Sequence, residues 1–161
     1  MPRPRKRREA KIPAAVLKAL GRFVVNYSRL DATLRWLGAA LLGSSEDQLV
    51  AMVKMSHRAL VETVDALYVQ NQPPIAVKEW RGFIKRVGAL AERRNAMMHS
   101  AWFEPIAGLG AARISSRLRQ GQGLLLMAHD ESLESVAAAA KEAHELESLA
   151  YDMLEAIEAS S

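Results

Sequence analysis

Apolar residues recur at three-four spacing over stretches too long for strands, and this limits the fold more than any other feature of the chain. After Pro13, which suits the first turn of a helix, Val16, Leu20, Phe23, Val24, Tyr27, Leu30, Leu34, Leu37 and Leu41 keep one face for almost thirty residues. Such a stripe predicts one long amphipathic helix ending near Gly43. Ser44 or Ser45, with Glu46 and Asp47 behind it, starts a short helix through Met55. Ser56 caps a third helix carrying Leu60, Val64, Leu67 and Tyr68, which stops at Asn71-Gln72-Pro73-Pro74. From Pro74 a fourth helix carries Val77, Trp80, Phe83, Ile84, Val87, Leu90 and Ala91.

Beyond Trp102-Phe103-Glu104-Pro105 the period changes from helix to strand. Arg113, Ser115, Arg117 and Arg119 alternate with Ile114, Ser116 and Leu118, and Gly121-Gln122-Gly123 makes a turn into an apolar strand over Leu124 to Ala128. This is a hairpin with one basic face. His129 to Ser132 leads into a last helix with Asp130 as candidate cap and a stripe of Leu133, Val136, Ala140, Leu146, Leu149, Met153, Leu154 and Ile157. The expected fold is mainly α. Four principal helices, plus one short helix, form a bundle with a small β-hairpin inserted before the last helix.

Charge divides the chain. Residues 1–11 hold six basic side chains against Glu9 and no apolar period, and are expected to be a flexible basic arm; 12–161 form a single domain. The segment from Asp130 onward holds nine acids and only Lys141 as a base. A basic body with an acidic last helix suits a polyanionic partner or self-association. No cysteine is present, so disulfides and thiolate metal sites are excluded. The longest apolar run, Trp36 to Gly43, falls far short of the roughly 20 residues that span a bilayer. A cytoplasmic protein that does not enter the membrane is expected.

Function concentrates in Glu92-Arg93-Arg94-Asn95-Ala96-Met97-Met98-His99-Ser100-Ala101-Trp102. Extending the fourth stripe by three to four residues reaches Arg94 and then Met98, so a guanidinium stands where an apolar side chain is due. Local conflicts of this kind tend to mark function. Arg94 and His99 lie about 140° apart around a regular helix, whereas Asn95 and His99 share a face. The arginine and the imidazole converge on one phosphate only if the helix ends near Met98, or if a second chain brings its own pair.

An arginine, a polar residue directly after it, and a histidine four to six positions beyond the arginine, near a helix end in a small bundle, resembles the higher-eukaryote-and-prokaryote nucleotide-binding (HEPN) superfamily. Arg94, Asn95 and His99 carry the likeness, and Ser100-Ala101-Trp102 is similar to the sequel common in bacterial members. The long first helix with Asp31 in its stripe is similar too. Arg93 also fits the allowed spacing; Arg94 is preferred because Asn95 follows it and because it lies on the stripe.

The resemblance implies metal-independent RNA cleavage by a homodimer, without a cofactor, with Arg94, Asn95 and His99 of both chains around one cleft. A toxin or defence effector, with an antitoxin or other protein partner, is one setting. A non-catalytic dimeric module binding a nucleotide, nucleic acid or protein is the alternative. Arg93, Ser100, Trp102 at the cleft wall, and Arg113, Arg117 and Arg119 on the hairpin are candidate nucleic-acid contacts.

The plainer readings are these. Arg94 pairs internally with Asp31 or Glu62, and His99 merely ends its helix. His57, His129 and His144 are solvated or capping residues. Trp80, Phe83 and Trp36 belong to the core. The residues three before the four histidines are Lys54, Ala96, Leu126 and Lys141, so the Glu-x-x-His pairs of a di-iron bundle are absent. No phosphate-cradling glycine loop or zinc-protease motif occurs. Neither Ser100 nor Ser28 has a paired base in the sequence pattern.

Overall fold

A computed structural model describes residues 12–43, 45–71, 76–103, 110–119 and 123–160. The basic arm lies outside the described residues, as do Pro74 and Gly121-Gln122. Five helices, α1 (Ala14–Leu41), α2 (Glu46–Val53), α3 (His57–Gln70), α4 (Val77–Met98) and α5 (Leu133–Glu158), enclose the core. Between α4 and α5 run β1 (Ala101–Phe103), β2 (Gly110–Arg119) and β3 (Gly123–Ser132), an antiparallel sheet in the order β1-β2-β3. The chain is thus a mainly helical bundle with a small sheet before its last helix. No described helix is long and apolar enough to cross a membrane.

The helices form where the stripes lie. α1 buries Val16, Phe23, Tyr27, Leu30, Leu34 and Leu37, and its widest packing is against α5, which buries Val136, Ala140, Leu146, Ala150 and Met153. Alanines on the α5 face bring the two backbones close, and Asn26 of α1 fastens them by donating Nδ2 to the Ala140 carbonyl at 2.9 Å. α3 and α4 meet at Tyr68 and Trp80, whose rings stack 3.7 Å apart. Trp80 is fully buried, and its indole N–H donates to Asp65 at 2.7 Å, so no polar atom of the ring is stranded. Pro13 stands one place before α1, as its N-cap residue.

Caps set several boundaries. Ser45 and Gln48 form a reciprocal capping box at α2, and Ser56 accepts from the Ala59 N–H at α3. Gly43 has φ 109°, the left-handed geometry that lets α1 end in a tight turn.

Three expectations, the end of the second strand, the cap of α5 and the place of Trp36, need correction. β3 runs on through His129 to Ser132, so Ser132 rather than Asp130 caps α5, accepting from Ser135 N–H at 3.0 Å. Pairing with β2, from Gly110↔Ser132 to Arg119↔Gly123, holds those polar residues in the ladder, a contact that local pattern does not reveal. β1 adds a third strand to the expected hairpin, pairing Ala101 to Phe103 with Ile114 to Ala112. Trp36, read as core, is 53% exposed, on a shallow pocket that it lines with Glu46 and Leu49 of α2 and Glu158 of α5.

Candidate functional site

On α4 the buried stripe reads Trp80, Phe83, Val87, Leu90 and then Met97. The position between Leu90 and Met97 belongs to Arg94, half-buried in place of an apolar residue. Its guanidinium carbon lies 5.9 Å from the centroid of the Tyr27 ring, and Nη1 donates to Asn95 Oδ1 at 3.1 Å. The π face of Tyr27 offers a cation weak stabilisation without a counter-charge. Both carboxylates proposed as internal partners are engaged elsewhere. Asp31 accepts from Arg35 at 2.8 Å and faces His57 Nδ1 at 2.7 Å, while Glu62 pairs with Arg58 at 2.8 Å. Among the described residues Arg94 forms no ion pair.

Arg94 opens on a cleft of about 780 Å³ between α1, α3 and α4, together with Tyr27, Asp31, Arg35, His57 and Asn95. Its polar groups are tightly ordered. Arg35 crosses from α1 to the end of α2, where Nη1 meets the carbonyls of Met52, Val53 and Met55, the groups that a helix leaves without partners. Burial pushes the Asp31 carboxyl up, but hydrogen bonds from His57 and Arg35 outweigh it and leave the group below its ordinary value. As an ionised carboxylate only accepts, the proton in the Asp31–His57 bond sits on Nδ1. His57 Nε2 is buried without a hydrogen-bond partner among the described residues. The Tyr27 and His57 rings lie 5.2 Å apart. Burial, then the Asp31 charge, push the Tyr27 hydroxyl up to about 12, against an opposing effect of Arg94. His57 is therefore an internal site residue, not a solvated cap. The sequence placed it at a helix start, and no local spacing joins it to Asp31 twenty-six residues earlier.

α4 does end at Met98, with His99 as the C-cap. The sequel explains why. Ser100 Oγ donates to the Ala96 carbonyl and Trp102 Nε1 donates to the Met97 carbonyl at 2.9 Å, satisfying two of the last-turn acceptors. Trp102 packs against the core rather than lining either cleft described here. His99 is exposed, on a second cleft of about 560 Å³ with Asn95, Ser100, Arg113, Ser115 and His129. Asn95 and Glu92 border both clefts.

The two candidate arginines separate cleanly. Arg93 Nη2 donates to the carbonyl (2.7 Å) and hydroxyl of Ser135 at the start of α5. Ser135 Oγ in turn donates to Glu131, and the other oxygen of Glu131 accepts from Arg113 Nε at 2.8 Å. Arg93 is thus a tether between α4 and α5. Arg113 faces inward to its own chain, with its Nη1 3.4 Å from Ser100 Oγ. The side chains of Arg117 and Arg119 lie outside the described residues. His144 is exposed beside Glu147, as a surface histidine would be. Among the described residues no three histidine or carboxylate side chains gather as metal ligands.

No family model, curated protein or solved structure matches this chain. The functional reading therefore rests on the motif and the geometry.

Proposed function

We propose that this chain is a metal-independent endoribonuclease of the HEPN type, acting as a homodimer in the cytoplasm, in the role of a toxin or defence effector. One observation carries the reading: Arg94 continues the apolar stripe of α4, half-buried and without a carboxylate partner among the described residues, on a cleft that Asn95 shares with the His99 cleft. A cation kept half-buried and free of counter-charge is suited to a phosphate. RNA supplies its own nucleophile, the 2′-OH. An imidazole takes that proton as the O2′–P bond forms, the P–O5′ bond breaks, and a protonated imidazole returns a proton to O5′. Arg94 holds the non-bridging oxygens and stabilises the charge that develops on them. Asn95 fixes Arg94 through its side-chain carbonyl.

Within one chain Arg94 and His99 open on different clefts, which favours a site completed by a second copy. The same observation favours the competing reading, a dimeric module that binds a nucleotide, RNA or protein without cutting. Purified protein incubated with mixed RNA in EDTA separates the two. Fragments ending in 2′,3′-cyclic phosphate are expected, with His99→Ala lowering the rate by roughly 10²–10⁴-fold. Intact RNA across varied substrates would leave the binding module. Growth arrest on expression, relieved by Arg94→Ala, would support the toxin role.

A further inference from the structure

The second cleft holds a residue that the motif does not include. β2 and β3 pair Arg113 with His129, which places the two side chains on one face of the sheet, with Ser115 two residues along on that same face. That face meets the end of α4, so His129 lines the cleft of about 560 Å³ that His99 also lines. Ser115 Oγ lies 3.4 Å from His129 Nε2 and orients the ring. Arg113 is pinned by Glu131 and reaches Ser100 Oγ, and hydroxyl groups and Asn95 complete a donor-rich surround. Both imidazoles belong to one chain, on one side of the helix end.

We propose that this cleft is a phosphate-binding site, and that His129 is the second imidazole of RNA cleavage, acting with His99 on the scissile phosphate. The catalytic half of this statement rests on the ribonuclease reading above; the binding half does not. Cleavage by 2′-OH attack needs one group to accept the O2′ proton and another to supply a proton to O5′ as the P–O5′ bond breaks. A lone imidazole would have to do both on one turnover. Two imidazoles in one cleft divide the work, one neutral and one protonated, and exchange states before the next turnover. Arg113, with Glu131 beside it, adds fixed hydrogen-bond donors more than net charge. Glu92 is the one carboxylate among the described residues that line this cleft.

The test uses the full chain. Imidazole signals are followed by NMR while inorganic phosphate, then uridine 3′-monophosphate, is added, with His99→Ala and His129→Gln assigning the resonances. Saturable movement of the His99 and His129 signals with a common dissociation constant is expected, weakened at least five-fold in His129→Gln. Signals of His129 that stay still while His99 moves overturn the site. In RNA cleavage, His129→Gln is expected to lower kcat by roughly 10²-fold with little change in KM, if its melting temperature is that of the wild type. Full cleavage by His129→Gln alongside loss in His99→Ala overturns the pairing and leaves the ribonuclease reading intact. Phosphate moving both imidazoles in a protein that cuts no RNA supports the site and removes the ribonuclease reading. Should His129→Gln fold poorly, Ser115→Ala takes its place, with a smaller loss of kcat expected and an unchanged rate counting against the proposal.

Discussion

The two clefts adjoin at Glu92 and Asn95, yet they are made in different ways. The cleft between α1, α3 and α4 is a network in which nearly every charge is answered: Asp31 by Arg35 and His57, Arg35 by the end of α2. Among the described residues, Arg94 is the one cation there without an ion pair. The cleft at the end of α4 is the reverse. Its arginine is answered by Glu131, and its two histidines are held only loosely, one as a helix cap and one by a hydroxyl at 3.4 Å. A tightly bonded wall with one unanswered cation grips an anion; a wall of loosely held imidazoles moves protons. Asn95 joins the gripping wall to the proton-moving one.

The strongest test of that division compares neighbouring residues. Arg94→Ala is expected to lower RNA cleavage by roughly 10²–10³-fold, the range for removing one group that stabilises developing charge, with little loss of stability. Arg93→Ala is expected to do the opposite. It retains most activity but loses about 1–2 kcal/mol of stability, since the charged bonds to the Ser135 carbonyl and hydroxyl disappear. Cleavage rates and melting temperatures measured on both variants decide it. If Arg93→Ala is the inactive one, the arginines have been assigned the wrong way round.

Gly110 separates the clefts by structure rather than charge. A Cβ placed on it would stand 2.5 Å from the backbone oxygen of Glu131, and backbone cannot swing aside. Gly110→Ala is expected to cost about 1–3 kcal/mol and to displace Glu131, hence Arg113 and the hairpin wall. NMR should then show His99 and His129 shifted and His57 unchanged. Movement of all three would mean that the clefts are not independent.

Much of this was legible in the sequence, and the exceptions share a cause. The stripes located the four long helices, and the gap in the α4 stripe pointed to Arg94, because periodicity records which face is inside. Ser45 and Ser56 announced their helices through cap chemistry. What escaped were features that exist only once distant segments meet. His57 looked like a helix start until α3 brought it to Asp31. His129 looked like a cap until β2 drew it into a ladder. Trp36 kept helical spacing but is only partly covered where α1, α2 and the end of α5 come together. The roles of Arg93 and Arg94 could not be told apart by spacing, as only the position of Ser135 on α5 distinguishes a tether from a free guanidinium.

Acid should expose how far the first cleft depends on Asp31. Its carboxyl is held below the ordinary 3.8, so the folded chain keeps this group ionised where the unfolded chain would protonate it. Such a group stabilises the fold above its ordinary value, and that stability drains away as pH falls through the lower, folded value. Wild type is therefore expected to be more stable than Asp31→Asn near neutrality, with the gap closing in acid below about pH 4. Urea unfolding of both proteins across that range reads the slope. Parallel curves would mean that the pairing with Arg35 and His57 adds nothing.

The smallest effect is the most local. Tyr27 ionises at about 12 rather than 10.0, pushed up by burial and by Asp31 and pulled down by Arg94. The fold therefore gains from keeping this phenol neutral, fully below pH 10, with the gain lost as pH climbs toward 12. Arg94→Gln removes the opposing cation and should send the Tyr27 titration higher still; Asp31→Asn should bring it down. The Tyr27 ring carbon signals, followed through alkaline pH, report each shift separately from Tyr68 and Tyr151. A titration indifferent to Arg94→Gln would place the guanidinium away from the ring. The first cleft would then lose its grip on anions, and only the imidazole wall would remain to explain any chemistry.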